Sequence, residues 1–425
     1  MKQKETKERK PNWREVYASV DDIKDFLANR IFLRHNVITR RVEYRVPSSF
    51  TQDFMPDWQP VTDRVVNSLW SKLSQIKPTR VQDMYRVIES DYVPEFNPFT
   101  SYLERLPKWD ERNHILALAM SVLVKGGVEQ QNMFYQCLRK WLVGMVAGWI
   151  DPTEVNHEIL VLIGEQGIYK TTWFQYLLPP ELRQYFYTKI NANRMSRDDL
   201  LTLAQYGLVC CEELDTMRPA ELNQLKAAVT MQSIDERAAY AHYHEHRKHI
   251  ASFCGTGNNV QFLTDSSGNR RWMPFEVVSI SNPRTNPIDY EGVFSEAYAL
   301  YQQNFCHWLV ADEKDQLAEH NEDFEATMPE MEKIKEHFRV PVEGDQVEFV
   351  TRTNIFETIS WNPTLHLNIN NIGMAMTRLG FERTRTNSQR GYWVHRYTDL
   401  ERKENERQRM GHAASASDNG DTVFR

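Results

Sequence analysis

The stretch His157–Thr172, HEILVLIGEQGIYKTT, decides the fold of this chain. Its apolar run Ile159–Ile163 stops at Gly164, turns through a second glycine, Gly167, and ends on Lys170, Thr171 and Thr172. That is the order strand, tight loop, helix start. The pattern points to a polyphosphate. Glycines let backbone amides close on the anion, a helix N-terminus adds partial positive charge, and a lysine adds a point charge. The loop candidates are Gly164, Glu165, Gln166, Gly167, Ile168, Tyr169, Lys170, Thr171 and Thr172, with the Thr171 hydroxyl set to ligate Mg²⁺. Such loops usually carry glycine directly before the lysine. Tyr169 takes that place here.

Working outward, Tyr206–Leu214 reads YGLVCCEEL. Leu208–Cys211 predicts a buried parallel strand that delivers Glu212 to a Mg²⁺ shell and sets Glu213 to polarise an attacking water. A strand ending in acids is common, but about forty residues after a phosphate loop it becomes specific. Ile250–Cys254 predicts a further strand, followed by Gly255-Thr256-Gly257-Asn258-Asn259. An asparagine at that tip can reach a γ-phosphate and its water. Arg270 and Arg271 precede the apolar stretch Trp272–Val278. An arginine there can act across a subunit boundary on transition-state charge, or be held locally by Asp265.

The rest of the chain sets limits. A net charge of −7 over 425 residues excludes a wholly basic surface, so nucleic acid would bind at local patches or inside a ring. Five cysteines without metal spacing point to a reducing, cytoplasmic setting, and no apolar run reaches transmembrane length. Residues 1–17 read as a basic flexible tail, and 18–150 as a mainly helical region with a short hairpin. Within it Arg112–Ile150 is heavily apolar and helical throughout, while Asp110 and His114 are more simply satisfied polar groups than an acid–base pair. Ile234–His249 predicts a hairpin with a His-rich tip, in which His244, Arg247 and Lys248 suit a nucleic-acid backbone. A metal held by His242, His244, His246 and His249 lacks further ligands. Ala311–Phe338 reads as a solvated connecting helix. Gln346–Tyr397 reads as a helix capped at Thr353 or Asn354, a second helix stopped by Gly380, and a basic hairpin, which is a winged-helix pattern. Five arginines against Glu382 between Arg378 and Arg396 make Arg383, Arg385 and Arg390 its nucleic-acid candidates. Residues 399–425 read as a flexible tail.

GEQGIYKTT, LVCCEELD, the Lys226–Arg237 region and GTGNN occur in that order within about a hundred residues. The series resembles the virulence-associated protein E family of mobile genetic elements, over residues 95–280. Members are similar to superfamily 3 helicases and often accompany primases. The resemblance implies an α/β protein with a P-loop NTPase core of the superfamily 3/AAA+-like kind at 151–310. An N-terminal mainly helical domain would precede it, and a charged helical linker (311–345) and a winged helix (346–398) would follow. ATP and Mg²⁺ are the implied cofactors, and a homo-oligomeric, hexameric ring the implied assembly. Lys170 and Thr171 would hold phosphate and metal, Glu212 and Glu213 serve metal and water, and Asn258 or Asn259 act as sensor. Lys226, Arg237 and the hairpin would face a central channel, and Arg270 or Arg271 would reach across in trans. The expected function is an ATP-dependent helicase-like motor on single-stranded or forked DNA, in the replication of a mobile element or phage. Residues 1–150 show no primase acid cluster, so a separate primase is the expected partner. The alternative is a nucleotide-assembled DNA-binding initiator with little unwinding activity. A defence or signalling ATPase without nucleic acid is a third reading, suggested by the acidic charge. Tyr169 and the GTGNN form are departures from the family pattern.

Overall fold

The apolar runs at 159–163 and 208–211 are buried on both faces, the condition under which parallel strands form. A computed structural model of the chain describes residues 17–47, 57–189, 197–236, 245–263, 266–326, 328–360, 367–386, 389–404 and 407. The chain divides into two units, 1–325 and 326–425.

The first unit opens with an antiparallel hairpin, β1 (Phe32–Asn36) and β2 (Arg41–Arg45). It is widened by β3 (Gln59–Pro60) on β2 and β4 (Glu95–Phe96) on β1, giving the order β3-β2-β1-β4. Leu33, Val42 and Tyr44 turn one face onto the helices Val20–Ala28, Asp63–Ser74 and Val81–Ile88. Val66, Leu69 and Leu73 line the buried side of the middle helix at the spacing of an amphipathic stripe. Asp110 and His114 are structural: the imidazole lies 2.8 Å from Asp110 and 3.0 Å from Asp289.

The stretch Arg112–Ile150 is not helical throughout. Between the helices His114–Ala119 and Gly127–Ile150 lies a strand, β5 (Val122–Val124), followed by Gly126 and Gly127 at positive φ. It forms the edge of a sheet whose other strands are β6 (Ile159–Ile163), β7 (Phe186–Lys189), β8 (Leu208–Cys211), β11 (Ser252–Gly257) and β12 (Trp272–Ile280). The order is β5-β12-β6-β11-β8-β7. All neighbours are parallel except β5, which runs antiparallel to β12. β9 (Ser233–Glu236) and β10 (Glu245–Lys248) pair separately as the expected hairpin. The helix Gly127–Ile150 starts exposed, at Val128, and from Lys140 to Trp149 is buried on every side. Its Trp141 and Trp149 satisfy their indole N–H groups on the carbonyls of Phe253 and Gly207, at 3.0 and 3.1 Å.

The charged stretch 311–345 is not a linker. It holds two helices, Ala311–Glu322 and Pro329–His337, and the first belongs to the first unit. His320 Nε2 lies 2.6 Å from the Pro274 carbonyl, and Asn321 Nδ2 donates to the carbonyls of Asn269 and Trp272. The second unit therefore begins earlier than residue 346. It contains the helix Pro329–His337, β13 (Phe338–Arg339), β14 (Glu348–Val350), the helices Arg352–Ile359 and Ile369–Arg378, β15 (Arg383–Arg385) and β16 (Arg390–Arg396). β16 lies between β13 and β14 and also pairs with β15. The cap of its second helix is Thr351, which accepts from the Asn354 amide while Asn354 accepts from the Thr351 amide. Gly380, at φ 81°, follows the helix that ends at Arg378. Among the described residues no helix is long and apolar enough to cross a membrane.

Candidate functional site

Loop, strand tips and acids converge at the C-terminal edge of the six-stranded sheet. β6 runs straight into Gly164, whose amide donates to the Gly257 carbonyl at the end of β11, 3.2 Å away. A Cβ on Gly164 would stand 2.6 Å from the Val277 carbonyl oxygen of β12, so only glycine lets the chain turn there. Gly167 takes φ 89°. Tyr169 takes φ 71° and ψ 17°, a left-handed backbone costing a side-chain-bearing residue roughly 1–2 kcal/mol. The residue is 40% exposed. The helix Lys170–Leu177 begins directly behind it, and its first-turn amides, including those of Thr171 and Thr172, have no acceptor within the helix.

Lys170 is buried, and its ammonium donates to three oxygens. They are the carbonyls of Gly164 and Glu165, each at 2.7 Å, and Asn258 Oδ1 at 3.2 Å. Burial lowers its pKa, and the negative charge of Asp215 opposes that shift. The ammonium is thus held by the carbonyls of its own loop.

Glu212 and Glu213 follow β8. Glu212 is half-buried, with its amide on the Lys189 carbonyl of the neighbouring strand. Glu213 is exposed and stands at φ 54°. That backbone turns the chain into a short 3-10 turn, Leu214–Thr216, which carries the residue overlooked in the sequence, Asp215. Asp215 Oδ2 accepts from the Asn259 amide at 3.1 Å, while its Oδ1 is buried with no hydrogen-bond partner among the described residues. Gly257 leaves room for that carboxylate: a Cβ there would come within 2.9 Å of Oδ1. The available signal was an acid two residues beyond Glu213 in LVCCEELD. Asn258 reaches Lys170, whereas the Asn259 side chain accepts from the Gln261 amide in its own turn.

Arg270 and Arg271 sit at the other end of the sheet. Trp272, next to Arg271, pairs in register with Ile159, the first residue of β6. The five residues of β6 then span about 16 Å before the glycine loop begins. Arg270 is exposed. Arg271 is half-buried, its pKa lowered by burial and by Arg270 and raised by Glu158.

Of the hairpin candidates, Arg237 and His244 lie outside the described residues. Arg247 and Lys248 are not offered to a ligand. Arg247 is buried and donates to the Ile38 carbonyl at 2.9 Å, and Lys248 donates to the Gly148 carbonyl at 2.8 Å. Burial takes the Lys248 pKa down to about 8. These two cations anchor the foot of the hairpin to carbonyls far away in sequence. Lys226 is likewise buried, in the helix Pro219–Val229, rather than facing a channel. His246 pairs with Asp235 at 2.8 Å, and His249 is buried against the Met231 carbonyl. No group of metal-ligating side chains forms among the described residues. Arg383, Arg385 and Arg390 are exposed on the β15–β16 hairpin, with Arg385 directly opposite Arg390.

A family model for the virulence-associated protein E-like domain matches residues 103–326. That is more than half of the chain, and the chain belongs to this family. No curated protein matches it. Among solved structures it is similar to the apo structure of the NrS-1 C terminal region (305–718). The identity is 12%, over 88% of this chain and 98% of that chain, with a TM-score of 0.47. An A form apo structure of the same region gives 11% identity, the same coverage and a TM-score of 0.45.

Proposed function

We propose that this member of the virulence-associated protein E-like family is an ATP-driven motor of the superfamily 3 helicase type. In this reading a P-loop NTPase core works on single-stranded or forked DNA during replication of a mobile element. One observation carries the proposal: Lys170, Asn258 and Asp215 meet behind a glycine loop at the C-terminal edge of a parallel sheet, with Glu212 at the end of the adjoining strand, where open α/β sheets take their ligands. In this reading Lys170 exchanges loop carbonyls for phosphate oxygens, and the free amides of the first helical turn hold the rest of the anion. Mg²⁺ binds through one or two carboxylates together with phosphate oxygens and waters. Thr171, Glu212 and Asp215 fit that requirement, and the partnerless Asp215 Oδ1 is the oxygen such an ion would use. The ion would neutralise charge on the phosphates. Glu213 then polarises the attacking water while Asn258 orients it and the lysine.

Arg270 and Arg271 lie too far along β6 to serve the loop of their own chain. In this reading one of them acts on the nucleotide of a neighbouring copy in a ring. In the second unit the order helix, strand, helix, helix, hairpin supports the winged-helix reading. Arg385 opposite Arg390 is unfavourable on its own and would be relieved by a phosphate between them.

The test is ATP hydrolysis with and without single-stranded DNA, for the wild type, Lys170→Ala and Glu213→Gln. DNA-stimulated turnover that both substitutions abolish is the expected result. Undiminished hydrolysis in Lys170→Ala sinks the proposal. The second reading, a nucleotide-assembled initiator with negligible turnover, is favoured by the strained Tyr169 beside a lysine already satisfied by its own loop. It predicts nucleotide-dependent oligomers and DNA binding without strand separation, and a clean unwinding signal decides against it.

A further inference from the structure

The face of the β3-β2-β1-β4 sheet turned away from its own helices, covered at Asn36 by Tyr185 and open beyond it at Phe32, has no role in the function above. Strand alternation turns Leu33, Val42 and Tyr44 onto the helical core, so Phe32, Arg34, Arg41, Glu43 and Arg45 face the other way. The pairings Glu43–Pro60 and Asn36–Phe96 bring Trp58 and Phe96 to the same side. There the guanidinium groups lie over aromatic rings. Arg34 stands 3.6 Å from the centre of Phe96 and 4.1 Å from that of Trp58, and Arg45 stands 5.1 Å from Trp58 and 5.7 Å from Phe32. Glu43 neutralises Arg34 at 2.7 Å. Arg41 and Arg45 make no ion pair among the described residues, and Arg45 Nε is buried without a hydrogen-bond partner. Phe32 is 48% exposed.

Three arginines against one carboxylate make this face positive in a chain of net charge −7. From Trp58 and Arg41 a cleft of about 280 Å³ continues to Tyr185 and Tyr206. The β1–β2 turn, at Ile38, accepts Arg247 of β10, so the face abuts the foot of the β9–β10 hairpin.

We infer that this sheet face binds single-stranded nucleic acid, with bases on Phe32 and Trp58 and phosphates on Arg41 and Arg45. Rings interleaved with cations match a strand whose bases are unstacked and whose backbone is anionic. A duplex hides its base faces and would leave the rings unused. The inference rests on the reading of this chain as a DNA-acting motor and adds to it the place where the strand lies.

The experiment is fluorescence anisotropy of labelled oligo-dT and oligo-U on the full-length chain, with Phe32→Ala/Trp58→Ala and Arg41→Ala/Arg45→Ala as double variants. An unchanged unfolding midpoint and unchanged ATP hydrolysis without nucleic acid establish that each variant is folded. The aromatic variant should bind about tenfold or more weakly, from lost stacking. The arginine variant should also flatten the slope of log affinity against log salt by about 1.4. The loss seen with oligo-dT, oligo-U or both supports the assignment and identifies which strand the face takes. Wild-type affinity in both variants overturns it and leaves the motor reading standing. A wild type that binds neither oligonucleotide overturns the motor reading and this one together. Loss of self-association without loss of oligonucleotide binding would give the face to a second copy of the chain, against the inference.

Discussion

Lys170 Nζ lies 3.2 Å from Asn258 Oδ1, so a single charged hydrogen bond joins the glycine loop to the tip of β11. Hydrogen bonds to charged groups contribute about 1.5–3 kcal/mol. Asn258→Ala should therefore lower kcat for ATP hydrolysis by about tenfold or more with a smaller effect on KM. Asn259→Ala, whose side chain only closes its own turn, should leave kcat near wild type. Steady-state kinetics of the two variants separates sensor from spacer.

Asp215 offers a different signature. Its Oδ1 has no partner to lose, so Asp215→Asn should leave the unfolding midpoint nearly unchanged. The Mg²⁺ concentration for half-maximal hydrolysis should rise by about tenfold or more, the scale seen when a carboxylate serving a metal is removed. A magnesium titration at saturating ATP measures this, and an unmoved titration curve would remove Asp215 from the site.

His249 makes stability pH-dependent. Burial lowers its pKa to about 4 from an ordinary value of 6.5. Between those values the unfolded chain binds the proton and the folded chain does not, so stability falls as pH drops from about 6.5 to about 4. His249→Gln should weaken this decline, read by urea unfolding at neutral and mildly acidic pH. An identical decline in the variant would assign the effect to other groups.

Arg390 should trade stability against binding. It faces Arg385 across the hairpin, and relieving such like-charge pairs is worth a few tenths of a kcal/mol to about 1 kcal/mol. Arg390→Gln should raise the unfolding midpoint slightly while weakening DNA binding and reducing its salt dependence. Thermal melts and binding measured on the same preparation test both signs at once.

The parts of the site carried by local sequence were legible. Ile159–Ile163, the two glycines and Lys170 predict strand, loop and helix by themselves, and Leu208–Cys211 announces its strand by unbroken apolar character. Asp215 was not legible because its importance depends on Gly257, on the adjoining strand but far along the sequence, leaving it room. Arg247 and Lys248 read as surface cations because the carbonyls that take them, Ile38 and Gly148, are distant in sequence. β5 escaped notice because three apolar residues between two helices carry no period, and only pairing with β12 makes them a strand. The helix Ala311–Glu322 looked solvated because its polar Asn321 and His320, rather than an apolar stripe, attach it to the sheet.

The separation of Arg271 from Lys170 along β6 has a consequence for genetics as much as for chemistry. If hydrolysis needs both, every working junction has two owners, and a defect in either owner silences it. Lys170→Ala and Arg271→Ala chains, each inactive alone, should recover measurable ATP hydrolysis when mixed, because some junctions then draw a sound lysine from one chain and a sound arginine from the other. Either variant mixed into wild-type protein should depress activity beyond simple dilution. A damaged copy of this chain would thus behave as a dominant poison rather than a silent passenger.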